Sequence, residues 1–146
     1  MPPDTLFSAS NTLALAGWAV LVLGPRRLPA VRALPAVGVP AVLALVYAAA
    51  MLPNLAGTGG GYGSVAEVRR LFASDAVLVG GWVHYLAFDL VVGALTAERM
   101  DRAGVHRLVQ AGPLAATFLF GPLGFLLGLG AETAARLASH RARSIP

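Results

Sequence analysis

The chain has 146 residues, of which 57% are hydrophobic and only 12% charged, about half the roughly 25% charged content of an average soluble domain. That balance describes one integral membrane domain. The net charge of +4 rests on eleven basic residues, all arginine, placed between or after the apolar runs, which reads as headgroup anchoring rather than nucleic-acid binding. With no cysteine, the chain excludes disulfides, thiolate nucleophiles, iron–sulfur clusters and thiolate-bound metals.

Four apolar runs lie near 5–24, 33–52, 76–97 and 109–130. Each has about 20 residues, enough to cross about 30 Å of hydrocarbon at about 1.5 Å per residue. The predicted fold is all-α: a single membrane domain over 1–146, a four-transmembrane-helix bundle with a short interfacial helix between helices two and three. The first run has no positive region before it and ends at Gly24-Pro25-Arg26-Arg27 rather than at a small-residue cleavage site. It reads as a retained span, not a signal peptide. Its amide, Asn11, sits at the depth of His84 if helices one and three run parallel, and serves either as an interhelical hydrogen bond or to orient a ligand. The short, proline-rich connection from Pro25 to Pro35 makes helices one and two antiparallel neighbours.

Pro53-Asn54 ends the second run, and Gly57-Thr58-Gly59-Gly60-Gly61-Tyr62-Gly63 follows, a stretch that holds regular structure only at a cost. It lacks the residue pattern of a phosphate-binding loop. Ser64-Val65-Ala66-Glu67 has capping-box spacing, and Val65, Val68, Leu71 and Phe72 recur on one face opposite Glu67, Arg69 and Arg70. This predicts an interfacial helix near 64–74, acting as an anchor or as a lid over a lateral opening.

The third run carries Gly81-Trp82-Val83-His84-Tyr85-Leu86-Ala87-Phe88-Asp89-Leu90. Its midpoint falls between His84 and Asp89, each about 4 Å from the bilayer centre, where an ionisable group is costly and marks a candidate site. Five residues turn about 140° around a helix, so the two do not share a stripe. Asp89 lies in line with Tyr85, and His84 with Gly80 and Phe88. An imidazole and a carboxyl suit acid–base chemistry; the alternative is polar glue between helices. Trp18, Trp82 and Tyr47 read as packing or interface residues, and Tyr85 gains interest from Asp89. Glu98 and Asp101, flanking Arg99 and Arg102, read as solvated charge. Arginines divide almost evenly between the two surfaces of a four-span protein, with the step across helix one favouring a non-cytoplasmic N-terminus.

The fourth run places Pro122 in mid-span, which removes an amide donor and frees the Phe118 carbonyl. Pro113 loosens the first turn. Gly124 and Gly128 let another backbone approach closely. The bend either packs tightly or shapes a pocket and offers it a carbonyl. Only three histidines occur, and His106 and His140 lie outside the runs, so neither a di-iron array nor a two-histidine haem is built here. No cofactor and no metal site is predicted.

These features together resemble the abscisic-acid-deficient-four-like membrane proteins, whose plant members are required for neoxanthin synthesis. The resemblance begins with Leu6-Phe7, Asn11, Trp18, Leu21 and Pro25, and continues through Pro40 and Tyr47. It is strongest in the segment 81–90 with Gly93, and closes on Thr117-Phe118-Leu119-Phe120-Gly121-Pro122-Leu123-Gly124. One departure is Ala94-Leu95, where the family leads one to expect a basic residue. The resemblance implies a carotenoid-linked isomerisation in which a 5,6-epoxide opens as a vinylic proton leaves, with no net redox. His84 would be the base and Asp89 the acid, with Asn11, Tyr85, Trp82 and Phe118 contacting substrate. The absence of organellar targeting and the arginine-only composition point to a bacterial-type member in the plasma membrane. The expected partners are membrane lipid, a carotenoid or other isoprenoid, and a second copy or a carotenoid-enzyme complex. The alternative is a non-catalytic carotenoid- or lipid-binding or scaffold protein built on the same residues.

Overall fold

The first apolar run begins at a proline, which starts a helix without wasting an amide, and forms α1 over Pro3–Leu23 in a computed structural model that describes residues 1–143. Gly24 turns extended and Pro25 prevents continuation. The second run starts at Pro29 and forms α2 over Pro29–Met51. Pro35 and Pro40 cannot donate within it, so the helix widens into a π turn over Leu34–Gly38, where the Val39 amide bonds the Leu34 carbonyl five residues back.

A 3₁₀ turn over Ala56–Thr58 leads into the glycine run, and α3 follows over Val65–Leu71. Ser64 caps it as expected: its Oγ accepts from the Glu67 amide at 3.2 Å. Glu67 reaches back to the Gly63 amide at 3.0 Å, and Gly61 donates to the Glu67 carbonyl at 3.3 Å. Gly60 lies so close to the backbone of Leu71 that a β-carbon has no room. The glycines therefore wrap the end of α3. Leu71 is buried with Met51 and Val77, and Phe72 covers Gly81.

The third run forms the long central helix α4, Asp75–Arg102. Helix α1 runs parallel to it: Asn11 meets Trp82, Gly17 lies beside Leu90 and Gly93 lies under the Trp18 ring. Helix α2 runs antiparallel, with Tyr47 beside His84 and Met51 beside Gly80. The core between them includes Leu21, Leu43, Val83 and Leu90. Among the described residues, helices α1, α2 and α4 are the three long and apolar enough to cross a membrane.

The fourth run departs from expectation. It forms two helices, α5 over Arg107–Phe120 and α6 over Pro122–Arg143, separated by the single residue Gly121. Gly121 adopts φ 48° and ψ −96°, a left-handed conformation that favours glycine, and the following proline has no amide with which to continue α5. The chain reverses there. Gly124 lies directly against the Thr117 backbone, so the two helices touch as a hairpin. Helix α6 then climbs alongside α4 in the same direction: Gly121 faces Asp89, Gly128 faces Thr96 and Glu132 bonds Arg99. Helix α5 descends from Gln110, bonded to Asp101, to Leu119, bonded to Tyr85. At 14 residues α5 is about 21 Å long, too short to cross about 30 Å of hydrocarbon. In place of a predicted fourth single helix the run is thus a helical hairpin whose tip reaches the midpoint of α4.

This reversal sorts the charges. Arg26, Arg27, Arg32, Arg99, Arg102, Arg107, Arg136 and Arg141 all fall at the end of the molecule where the hairpin is rooted, against Arg69 and Arg70 at the other.

Candidate functional site

Helical periodicity puts Trp82, Tyr85 and Asp89 on one stripe of α4, which faces α1 and the hairpin tip. The hairpin stops at Asp89, so above it the stripe meets α1 alone. A groove of about 490 Å³ lies between the starts of α1 and α4, lined by Asp4, Phe7, Asp75, Leu78, Val79 and Trp82; Trp82 is the member of the stripe that reaches it. The Trp82 indole donates from Nε1 to Asn11 Oδ1 at 3.1 Å, and Asn11 Nδ2 donates to the Phe7 carbonyl at 2.9 Å. Asn11 therefore holds the indole in place. It meets Trp82, not His84.

Trp82 lies between Phe7, 5.7 Å away, and Tyr85, 5.3 Å away, so three aromatic rings lead inward from the groove. The Tyr85 hydroxyl donates to the Leu119 carbonyl at 3.3 Å and interacts with the Asp89 carboxyl one turn on. In an uninterrupted helix that carbonyl would accept the amide of residue 123; the break at Gly121 frees it. Pro122 offers no amide to the Phe118 carbonyl, as expected, and it is the neighbouring Leu119 carbonyl that a site side chain meets. Phe118 instead packs edge-on against Trp18 at 5.5 Å, tying the tip to α1.

Asp89 is 8% exposed, and its Oδ2 has no hydrogen-bond partner. Its Oδ1 faces Gly121, at the N-terminal end of α6, where the helix dipole favours a carboxylate. A buried carboxyl with an unused oxygen, one turn from a phenol and beside a helix start, can exchange a proton with whatever reaches it. Asn11, Trp82, Tyr85, Asp89 and Phe118 are thus assembled around the hairpin tip and its groove. His84 is not. It lies on an outward face of α4, stacked on Phe88 at 4.5 Å and beside Tyr47 at 5.4 Å.

The base of the hairpin is fixed by ion pairs. Glu132, buried despite its charge, accepts from Arg99 Nε at 2.7 Å and from Arg136 Nε at 3.0 Å. Burial raises its pKa, but the bonds from Arg99 and Arg136 outweigh that and hold the carboxyl below its ordinary value. Asp101 and Glu98, read from sequence as solvated charge, do reach solvent, and they also carry ion pairs. Asp101 pairs with Arg26 at 3.1 Å and accepts from the fully buried Gln110 at 2.7 Å; Glu98 pairs with Arg102 and Arg32. Gln110 also accepts from Arg26 at 2.7 Å, which joins α5 to the α1–α2 connection. Among the described residues no cluster of three or more metal-ligating side chains occurs.

Sequence reasoning missed the turn at Gly121, the Leu119 carbonyl and the Arg26–Gln110–Asp101 network. The turn had a signal: Gly-Pro is one of the dipeptides that mark chain reversals.

The run from Asn11 through the central motif to the Gly121-Pro122 turn falls inside residues 5–127, which match the family profile described as ABA DEFICIENT 4-like. The chain belongs to that family. No curated protein and no solved structure matches it. The matched range holds Asn11, Trp82, Tyr85, Asp89, Phe118 and Gly121, and stops short of the Glu132 clamp.

Proposed function

We propose that this protein binds an apolar isoprenoid of carotenoid type in the groove above the hairpin tip and isomerises its oxygen-bearing end without net redox change. The observation that carries this reading is the stripe Trp82, Tyr85 and Asp89 leading from an apolar groove to a buried carboxyl with a free oxygen. Membership of a family whose plant members are required for neoxanthin synthesis supports the substrate class. Helices α1, α2 and α4 cross the bilayer, α3 lies at one surface, and the hairpin enters from the other. The arginine-rich end faces the cytoplasm.

For a 5,6-epoxide, the Tyr85 hydroxyl gives its proton to the epoxide oxygen as the carbon–oxygen bond opens. The Asp89 carboxylate takes the vinylic proton, whose bonding pair completes the allene. Asp89 then returns that proton to the Tyr85 phenolate, so the product is an isomer and the pair is reset. In this scheme His84, on its outward face, supports packing against α2 rather than acting as the base.

Protein reconstituted in nanodiscs with a 5,6-epoxy carotenoid tests the reading. Formation of an allenic alcohol of unchanged mass, lost in Asp89→Asn and Tyr85→Phe while pigment stays bound, supports it. Conversion indifferent to both substitutions removes the acid–base scheme. Pigment bound by the unmodified protein without conversion leaves the binding reading in its place.

A further inference from the structure

The cytoplasm-facing end holds a second cavity, unrelated to the groove at Trp82. It is an open cleft of about 500 Å³ lined by Arg26, Arg27, Arg32, Arg102 and Arg107 with only two carboxylates, those of Glu98 and Asp101. Both carboxylates are already engaged, Asp101 by Arg26 and Gln110, Glu98 by Arg102 and Arg32. Arg107 spends its donors on the carbonyls of Val22 and Gly24, which satisfies hydrogen bonds at the end of α1 but neutralises no charge. The cavity is left with a surplus of positive charge.

Arg26 is the residue that points to an occupant. Its side chain is 7% exposed, yet its Nε has no partner, and its Nη1 touches Asp101 Oδ2 at 3.1 Å without hydrogen-bond geometry. Burial, followed by the nearby charge of Arg107, makes its cationic form less favourable, against the pull of Asp101. Arginine keeps its charge regardless, so a buried guanidinium with idle donors is a costly arrangement unless an anion completes it.

A second cavity of about 510 Å³ adjoins the first and shares Arg26, Arg32, Glu98 and Asp101 with it. Away from those charges it becomes an apolar groove between α1, α2 and α4, walled by Leu21, Val37, Val91, Ala94 and Leu95. A cationic chamber opening into an apolar groove has the two-part chemistry of a lipid with a phosphate head. We propose that this end carries a site for an anionic phospholipid, its phosphate held among Arg26, Arg27 and Arg32 and one acyl chain laid in the groove. A free phosphate would use the chamber but have no use for the groove.

Native mass spectrometry of the full chain in detergent, with phosphatidylglycerol, phosphatidylcholine or inorganic phosphate added, tests the site. Phosphatidylglycerol is expected to be retained about tenfold better than phosphatidylcholine, and Arg27→Gln with Arg32→Gln to reduce its retention by about the same factor. Both arginines are exposed and neither bonds Gln110, and Glu98 keeps Arg102 when Arg32 is lost, so an unchanged unfolding midpoint is expected of that variant and is measured beside it. Ala94→Phe, which fills the groove, should lower phospholipid retention and leave inorganic phosphate unaffected. Equal retention of the two lipids overturns the proposal, as does retention that ignores both the arginine pair and the groove substitution.

Discussion

Gly121 lies against the carboxyl of Asp89: a β-carbon at position 121 would stand 2.7 Å from Asp89 Oδ1. One residue thereby does two things. It reverses the chain in a conformation that side chains rarely adopt, and it leaves the space that the buried carboxyl occupies. The hairpin tip and the candidate site are therefore the same structural feature.

Gly121→Ala should fail on both counts. A positive φ with ψ −96° is a sparsely populated backbone for a residue with a β-carbon and costs about 1–3 kcal/mol, and the contact with Asp89 adds to it. Thermal unfolding in detergent should show a lowered midpoint, and conversion of an epoxy-carotenoid should fall further than the loss of folded protein accounts for. A variant as stable and as active as the parent would show that the tip is not packed on Asp89.

Substitutions on the two faces of α4 should separate sharply. Asp89→Asn and Tyr85→Phe remove proton-exchanging groups from the groove stripe and are expected to lower turnover by about 10²–10⁴-fold. His84→Gln alters a ring stacked on Phe88, with no contact to that stripe, and should change turnover by no more than about threefold. Rates measured on the three variants under saturating pigment check this. A His84→Gln loss as large as that of Asp89→Asn would return His84 to the reaction.

The α1–α4 seam depends on Gly93, over which the Trp18 ring lies with no space for a β-carbon. Gly93→Val should destabilise the protein by about 1–3 kcal/mol through overpacking, and Trp18→Leu in the same chain should recover part of that loss. Unfolding midpoints of the single and double variants decide it; equal damage in both would place the constraint elsewhere.

Glu132 supplies a pH dependence. Its carboxyl titrates below its ordinary value because Arg99 and Arg136 bond its charged form. A depressed folded-state pKa gives stability that is present above the unfolded value, about 4.3, and is lost as pH falls through the folded one. Unfolding followed from neutral pH downward should show the hairpin losing stability below the usual carboxylate range. Glu132→Gln should abolish that part of the slope, and an unchanged slope would assign it to other carboxyls.

The sequence made much of this readable, for specific reasons. Spans one to three follow from uninterrupted apolar length, and the parallel course of α1 and α4 brought Asn11 to the candidate face. The Ser64–Glu67 cap was visible because its chemistry is local. Asp89 and His84 were placed on different faces by helix geometry alone. What could not be read was tertiary. Apolar length is the same for a helix that crosses and for two halves that turn back, and hydropathy does not register the reversal at Gly121. The pairing of Asp101 was not legible because its partners, Arg26 and Gln110, are distant along the chain or lie across a helix boundary. Asn11 met Trp82 rather than His84 for a similar reason: depth along a helix is set by spacing, but azimuth is set by the neighbour.

If the hairpin enters and leaves the membrane on one side, as proposed, the C-terminal helix emerges beside Arg27, and a cysteine-free chain makes that directly measurable. Single cysteines at Arg27, Tyr62 and Ser139, all exposed, can be labelled with a membrane-impermeant maleimide in sealed vesicles of known orientation. The hairpin predicts that Ser139→Cys reacts from the same side as Arg27→Cys, and Tyr62→Cys from the opposite side. Ser139→Cys reacting with Tyr62→Cys instead would mean that the fourth apolar run crosses the membrane, and that no hairpin tip closes on Asp89.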